Sequence, residues 1–158
     1  MIPASLAIDS KLPWVGTTIF TVMSKLAVDC GAINLSQGFP DFQAEPALFE
    51  AVTRAMNEGR NQYPPMAGMP ELRQAIAGKV ESLYGARYDA DHEITVTAGA
   101  TQALFTAIAA FVRGGDEVIV FAPFYDSYVP AIETVGGRAV YSRLRFPDYR
   151  PDWDEVRA

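Results

Sequence analysis

The sequence predicts an α/β fold, a mainly parallel sheet with flanking helices in three layers. Three observations predict it. From Glu93 onward, strand-like runs alternate with helical stretches in the order βαβαβ, an order that winds into a right-handed parallel sheet. Glu117–Phe121 (EVIVF) is almost wholly apolar, as a strand covered on both faces must be. Upstream, three segments carry apolar residues at helical spacing and end at glycines.

After an irregular arm with Pro3, Pro13 and Gly16, a helix is expected from Thr17 to Cys30 through Ile19, Val22, Met23, Leu26 and Ala27, stopped at Gly31. Ala32–Leu35 is a short extended piece leading into the loop SQGFPDFQAEP. Pro46 suits the first turn of a second helix with the stripe Leu48, Val52, Ala55 and Met56, ended by Gly59. A breaker-rich loop, GRNQYPPMAGMP, precedes a third helix from Pro70 to Tyr84. Glu93–Thr97 (EITVT) is β-branched and bounded by polar residues, so it reads as a strand. The turn AGAT opens a helix from Thr101 to Val112, and Gly114-Gly115-Asp116 turns into EVIVF. Pro123 closes that strand, a helix covers Tyr125–Val135, and Arg138–Ser142 is the third strand. Pro151–Val156 has the form of a capped first helical turn beginning near Trp153. The chain stops at Ala158 before that helix could bury a face, and three strands make a thin sheet. Both features suggest an N-terminal piece of a larger protein.

Composition narrows the class. Of 158 residues, 49% are hydrophobic and 20% charged, enough apolar material for a core. Thirteen Lys and Arg against nineteen Asp and Glu leave a net charge of −6, which disfavours nucleic-acid and anionic-membrane partners. No apolar run approaches the ~20 residues of a membrane span, and the N-terminus lacks the pattern of a signal peptide. One cysteine, Cys30, fits a reducing compartment, and one histidine, His92, argues against a His-rich metal site. A cytoplasmic protein is expected. His92 precedes its strand and reads as a loop residue. Asp9, Asp29, Asp41, Asp89 and Asp91 read as surface or capping carboxylates. Arg54, Arg60, Arg73 and Arg113 are expected to solvate helix faces and ends.

Four strings could carry chemistry. In EITVTAGATQAL a strand ends, small residues turn, and a helix begins, exposing N–H groups and the positive end of its dipole to an anion. Gly99 keeps no Cβ in the way, Ala100 and Thr101 offer backbone N–H, and the Thr101 hydroxyl adds a donor. Such a ligand belongs beyond the carboxyl end of the strand, although small residues can also serve only close packing. The string is neither a Walker A loop nor a GxGxxG fingerprint. In APFYDSY, Tyr125 stands at the same rim, where it could stack on an aromatic ligand or simply pack. Asn61–Pro65 with Gly68–Arg73 presents Tyr63 from a proline loop, and Asn34–Phe42 contains Gly38, where backbone can approach a ligand or merely turn.

Taken in order, SQGFPDF, NQYPPMAGMPELR, TAGATQALF and GDEVIVFAPFYDSY resemble the N-terminal part of a fold-type I, pyridoxal-phosphate-dependent aminotransferase of the class I/II group, nearest the methionine and kynurenine/glutamine K types. The resemblance runs from Lys11 to Trp153. It implies that Gly99, Ala100 and Thr101 hold the cofactor phosphate with Gln102 beside them, and that Tyr125 stacks on the pyridine ring. It further implies that Tyr63 reaches the phosphate of the neighbouring subunit in a homodimer and that Gly38 meets the substrate carboxylate, with Trp14 and Phe20 near the substrate side chain. Residues 1–45 would be an arm and helix belonging to the family's small domain, and residues 46–158 an incomplete cofactor-binding large domain.

The reaction implied is transfer of an amino group from an α-amino acid, methionine or aromatic, to a 2-oxo acid. The family's Schiff-base lysine has no counterpart among Lys11, Lys25 and Lys79, so the chain alone is expected to be inactive. A carbon–sulfur β-lyase on the same scaffold, or a non-catalytic phosphate-ligand binding module, are the alternatives. A chain this short is also expected to expose apolar surface.

Overall fold

The computed structural model describes residues 9–38 and 40–158. The first eight residues of the expected arm, and Phe39 of the SQGFPDF string, lie outside them. The chain divides into two compact units, Met1–Ser36 with Ala98–Ala158, and Gln37–Thr97.

The first unit holds the sheet. β1 (Glu117–Ala122) and β2 (Arg138–Arg143) pair in parallel, with Glu117 opposite Arg138 and Ala122 opposite Arg143. Glu117 and Arg138 also form an ion pair at the head of the ladder. The parallel pairing requires a crossover, and the short helix α5 (Tyr128–Thr134) makes it, packing on both strands and on α4 (Gly99–Phe111). Val120 of β1 with Val129, Ala131 and Ile132 of α5 form the buried apolar core. Ile132 is 1% exposed. The helix α1 (Ile19–Asp29) is capped by the Thr18 hydroxyl, which accepts from the Thr21 N–H. The last helix, α6 (Trp153–Arg157), is capped by Asp152, whose Oδ1 accepts from the N–H groups of Asp154 at 3.0 Å and Glu155 at 3.2 Å. The Ser142 hydroxyl donates to Glu155 at 3.0 Å, tying α6 to β2, and the Trp153 ring meets Phe121 edge-on.

The second unit contains α2 (Pro46–Asn57) and α3 (Pro70–Tyr84), each with proline in its first turn. Here the structure departs from the sequence reading. Glu93–Thr97 pairs with no strand, so the described residues hold two strands where three were expected. β-branched residues favour extension, but a strand exists only where a neighbour completes its ladder. The run falls in a different unit from β1 and β2, and Val96 N–H donates instead to the Ala67 carbonyl of a loop at 2.9 Å.

Two further boundaries differ. The helix expected from Thr101 begins at Gly99, and the helix expected from Tyr125 begins at Tyr128, because Pro123–Ser127 turns before the chain coils. Arg73, expected to solvate a helix face, is buried, its guanidinium taken up by backbone carbonyls. Apolar surface is widely exposed, as expected of so short a chain: Ile33, Leu35, Met66, Phe111 and Phe146 are almost bare. Among the described residues no helix is long and apolar enough to cross a membrane.

Candidate functional site

The start of α4, like those of α2, α3 and α5, has no side-chain cap. Thr18 and Asp152 satisfy first-turn amides with their side chains, whereas Ala98 at the N-cap of α4 has none to offer. The first-turn N–H groups of a helix have no intrahelical acceptor, and those of Ala100 and Thr101 stand at the positive end of a thirteen-residue helix. Gly99 adopts φ +84°, and a Cβ built there meets nothing within 4 Å. The left-handed backbone disfavours any other residue, and the space over it is open.

The Gln102 side chain turns back on this corner. Its Oε1 accepts from the Ala98 N–H at 2.5 Å, so Gln102 braces the turn. Thr101 lines a cavity of about 220 Å³ together with Leu104 and Phe105 of α4 and Ser127, Pro130, Ala131 and Thr134 of the α5 end. Ser127 is the N-cap residue of α5, yet its hydroxyl caps nothing. Its Oγ is buried and has no hydrogen-bond partner in the structure. Sequence reasoning misses Ser127, drawn to the tyrosines on either side. The available signal is a serine at a helix start, although only the fold reveals that it does not cap.

Tyr125 lies two residues before Ser127, 45% exposed, with its ring edge-on to Tyr128 at 5.9 Å between centroids. Phe124 packs face to face with Tyr141 at 5.7 Å. Of the rim aromatics, then, Phe124 is committed to packing against β2, while Tyr125 keeps much of its ring uncovered.

The remaining expected site residues are distributed as follows. Trp14 is exposed in the arm and Phe20 half-buried in the first turn of α1, both in the unit that holds the Gly99 turn and Tyr125. Gly38 and Tyr63 belong to Gln37–Thr97. Gly38 has open space where a Cβ would stand, and Tyr63 is 99% exposed. His92 is exposed and pairs with Asp89 at 3.0 Å. Of the lysines, Lys25 is paired with Asp29 at 2.8 Å along α1, and Lys79 lies on α3.

A parallel strand pair with its crossover helix, a glycine corner at the start of α4 and a half-exposed tyrosine after β1 place this chain among α/β proteins. The family model for aminotransferase class I and II matches residues 31–158, and the chain belongs to that family. It is 57% identical over 150 residues to the methionine aminotransferase of Escherichia coli, covering 95% of this chain and 39% of that protein. It is 44% identical over 141 residues to a probable N-succinyldiaminopimelate aminotransferase of Mycobacterium tuberculosis, covering 89% of this chain and 35% of that protein. The crystal structure of the Escherichia coli methionine aminotransferase YbdL superposes with a TM-score of 0.91 at 56% identity, over 96% of this chain and 40% of that one. The chain thus spans well under half the length of the relatives it matches.

Proposed function

We propose that this chain is the cofactor-phosphate and ring-stacking part of a pyridoxal-phosphate-dependent aminotransferase, which moves an amino group from an α-amino acid of methionine or aromatic type to a 2-oxo acid. The observation that carries the reading is the uncapped start of α4 behind Gly99, in a chain 57% identical to a methionine aminotransferase. The donor set suits a phosphate monoester: backbone N–H groups at a helix start, the Thr101 hydroxyl and an open glycine corner. The unpartnered Ser127 hydroxyl beside Thr101 is one more donor at the same end of the fold.

Each residue has a task in this reading. Gly99, Ala100 and Thr101 hold the phosphate, and Gln102 keeps the corner rigid through Ala98 while standing next to the anion. Tyr125 lies against the pyridine ring and shields one face from water. Tyr63 reaches the phosphate of the second subunit of a homodimer. Gly38 offers backbone to the substrate carboxylate, with Trp14 and Phe20 beside the substrate side chain. When bound, pyridoxal phosphate supplies the electron sink that makes the substrate Cα proton removable. On this reading the lysine that carries the cofactor is none of Lys11, Lys25 and Lys79. Residues 46–158 open the cofactor-binding domain, residues 1–45 form the arm and first helix, and the protein works in the cytoplasm.

The test is transamination of methionine and phenylalanine against 2-oxo acids by the full-length product of the reading frame, beside the 158-residue chain. Turnover by the former alone is expected, whereas turnover by the short chain refutes the division of the site. Release of pyruvate and ammonia from cystathionine, without transamination of methionine, would assign a β-lyase instead. Replacement of Thr101 by Ala is expected to weaken pyridoxal phosphate binding by about tenfold or more, the effect of losing a hydrogen bond to a charged group.

A further inference from the structure

Among the described residues of Gln37–Thr97, Arg73 is the one buried charge, at 7% exposed. It sits near the start of α3, and its Nε and Nη1 are engaged by two backbone carbonyls and one carboxylate. Nε donates to the Gly68 carbonyl at 3.2 Å, Nη1 donates to the Ala90 carbonyl, and Nη1 meets Asp91 Oδ1 at 3.2 Å. A buried charge is retained only when it is paired and hydrogen-bonded, and the planar fork of arginine can bridge two backbone segments where lysine offers a single point.

The two segments bridged are the loop that presents Tyr63 and the turn at Ala90 and Asp91. Gly68 N–H closes a turn onto the Pro65 carbonyl at 2.8 Å, and the Ala67 carbonyl accepts from Val96 N–H at 2.9 Å. Gly68 itself lies so close to Val96 that a Cβ would come within 2.6 Å of it. The Pro65–Gly68 turn is therefore held from two sides, by Arg73 and by Val96. Between that turn and Tyr63 stands only Pro64, and the rings of Pro64 and Pro65 fix φ and pass the orientation of the turn along the backbone. Tyr63 stands fully exposed at the end of this rigid strut.

We propose that Arg73 is a positioning residue for the cofactor site: it sets the 63–70 loop and through it the direction in which Tyr63 is presented to the phosphate. This rests on the role of Tyr63 under the proposed function. The helix start, the turn and the carbonyl pair form one device, and removing the guanidinium frees the loop end without touching the groups that meet the anion.

A double-substitution cycle on the full-length holoenzyme tests it, with the dissociation constant of pyridoxal phosphate measured on folded, reconstituted protein. Tyr63→Phe and Arg73→Met are each expected to weaken the cofactor about tenfold, and the pair together no more than about twofold beyond Tyr63→Phe alone, since residues acting through one another are not additive. Arg73→Lys should fall between wild type and Arg73→Met, and carries the same cycle should Arg73→Met fail to fold. A purely structural role lowers the thermal midpoint but leaves the cofactor constant of folded protein unchanged. That result overturns the proposal, as does a double variant weakened by the product of the two single effects. If Tyr63→Phe leaves the constant unchanged, the assignment of Tyr63 fails and the proposal with it. Loss with Tyr63→Phe but not with Arg73→Met or Arg73→Lys sinks the role of Arg73 alone.

Discussion

The two units of this chain are held together by opposite means. The unit of β1, α5 and β2 contains every buried hydrophobic residue described: Val120, Val129, Ala131 and Ile132. Among the described residues of Gln37–Thr97 the buried ones are Gly68 and Arg73, a turn glycine and a guanidinium. The difference follows from strand pairing. Where the chain supplies two strands and the helix between them, their backbone groups satisfy one another and apolar side chains can close over them. Where the β-branched run Glu93–Thr97 has no neighbouring strand, nearby carbonyls need other donors, and Arg73 and Val96 N–H provide them. The same composition yields an apolar core in one place and a polar knot in the other.

The comparison is broken most forcefully at Ile132. It is the largest fully buried side chain, and truncation to Ala in so small a core is expected to cost about 2–5 kcal/mol. Chemical denaturation of the variant checks this, and a loss below about 1 kcal/mol would mean that α5 does not anchor the sheet. The counterpart in the second unit is Gly68→Ala. At φ +100° and 2.6 Å from Val96, the added methyl meets both strain and overlap, with an expected cost of about 1–3 kcal/mol. Because Gly68 accepts from Arg73, this substitution should also loosen the 63–70 loop, read as faster hydrogen exchange at Gly68 and Val96 and unchanged exchange in β1. Exchange rising equally in both units would show that they do not open separately. A milder effect is expected at the edge of the first unit, where Asp152→Ala removes the cap of α6 at a cost of about 1 kcal/mol. Since α6 is tied to β2 through Glu155 and to β1 through Trp153, the Tm of the protein should fall while the exchange protection of Val120 holds.

How much of the molecule is legible in its sequence depends on whether a feature is local. The bounds of α3 can be read to the residue, because Pro70 at the first turn and Gly85 after the last are local signals. β1 and β2 are nearly as plain, since a strongly apolar run bounded by turns leaves little choice. Glu93–Thr97 misleads because a strand is a relation to a neighbour and not a property of five residues. Arg73 misleads for the same reason: an arginine after Glu71-Leu72 at a helix start looks solvated until the fold brings the carbonyls of Gly68 and Ala90 to it. The Gly99 turn is legible as a small-residue corner opening a helix, although α4 begins at Gly99 itself and not at Thr101. The tasks assigned to Tyr63, Gly38, Trp14 and Phe20 come from family resemblance, because each concerns a group that local sequence does not contain. Gln102 and Ser127 lie in between. Their positions are plain, but what each oxygen faces is decided by packing.

The finest probe of the contrast is pH. Next to the Arg73 knot, Asp89 accepts from the Asp91 N–H at 2.7 Å and pairs with His92 at 3.0 Å. The bond from Asp91 N–H, then that from His92, holds the Asp89 carboxyl below its ordinary 3.8. The bond to Asp89, together with its charge and that of Asp91, raises His92 above 6.5, against smaller opposing effects of desolvation and then Arg73. A raised histidine stabilises the fold fully below its unfolded value and loses that contribution as pH rises through its folded value. A lowered carboxyl does the reverse, contributing above 3.8 and failing as pH falls through its folded value. The pair is therefore strongest between these limits and weakens on either side. Both groups are exposed to solvent, which screens them, so the contribution falls below that of the Asp152 cap. An NMR titration of His92 should give a midpoint above 6.5 that returns toward 6.5 in Asp89→Asn. A midpoint indifferent to that substitution would remove Asp89 as its partner. The apolar core of β1 and α5 has no described titratable group buried in it, so resonances of Val120 and Ile132 should stay still while those of residues 89–93 move.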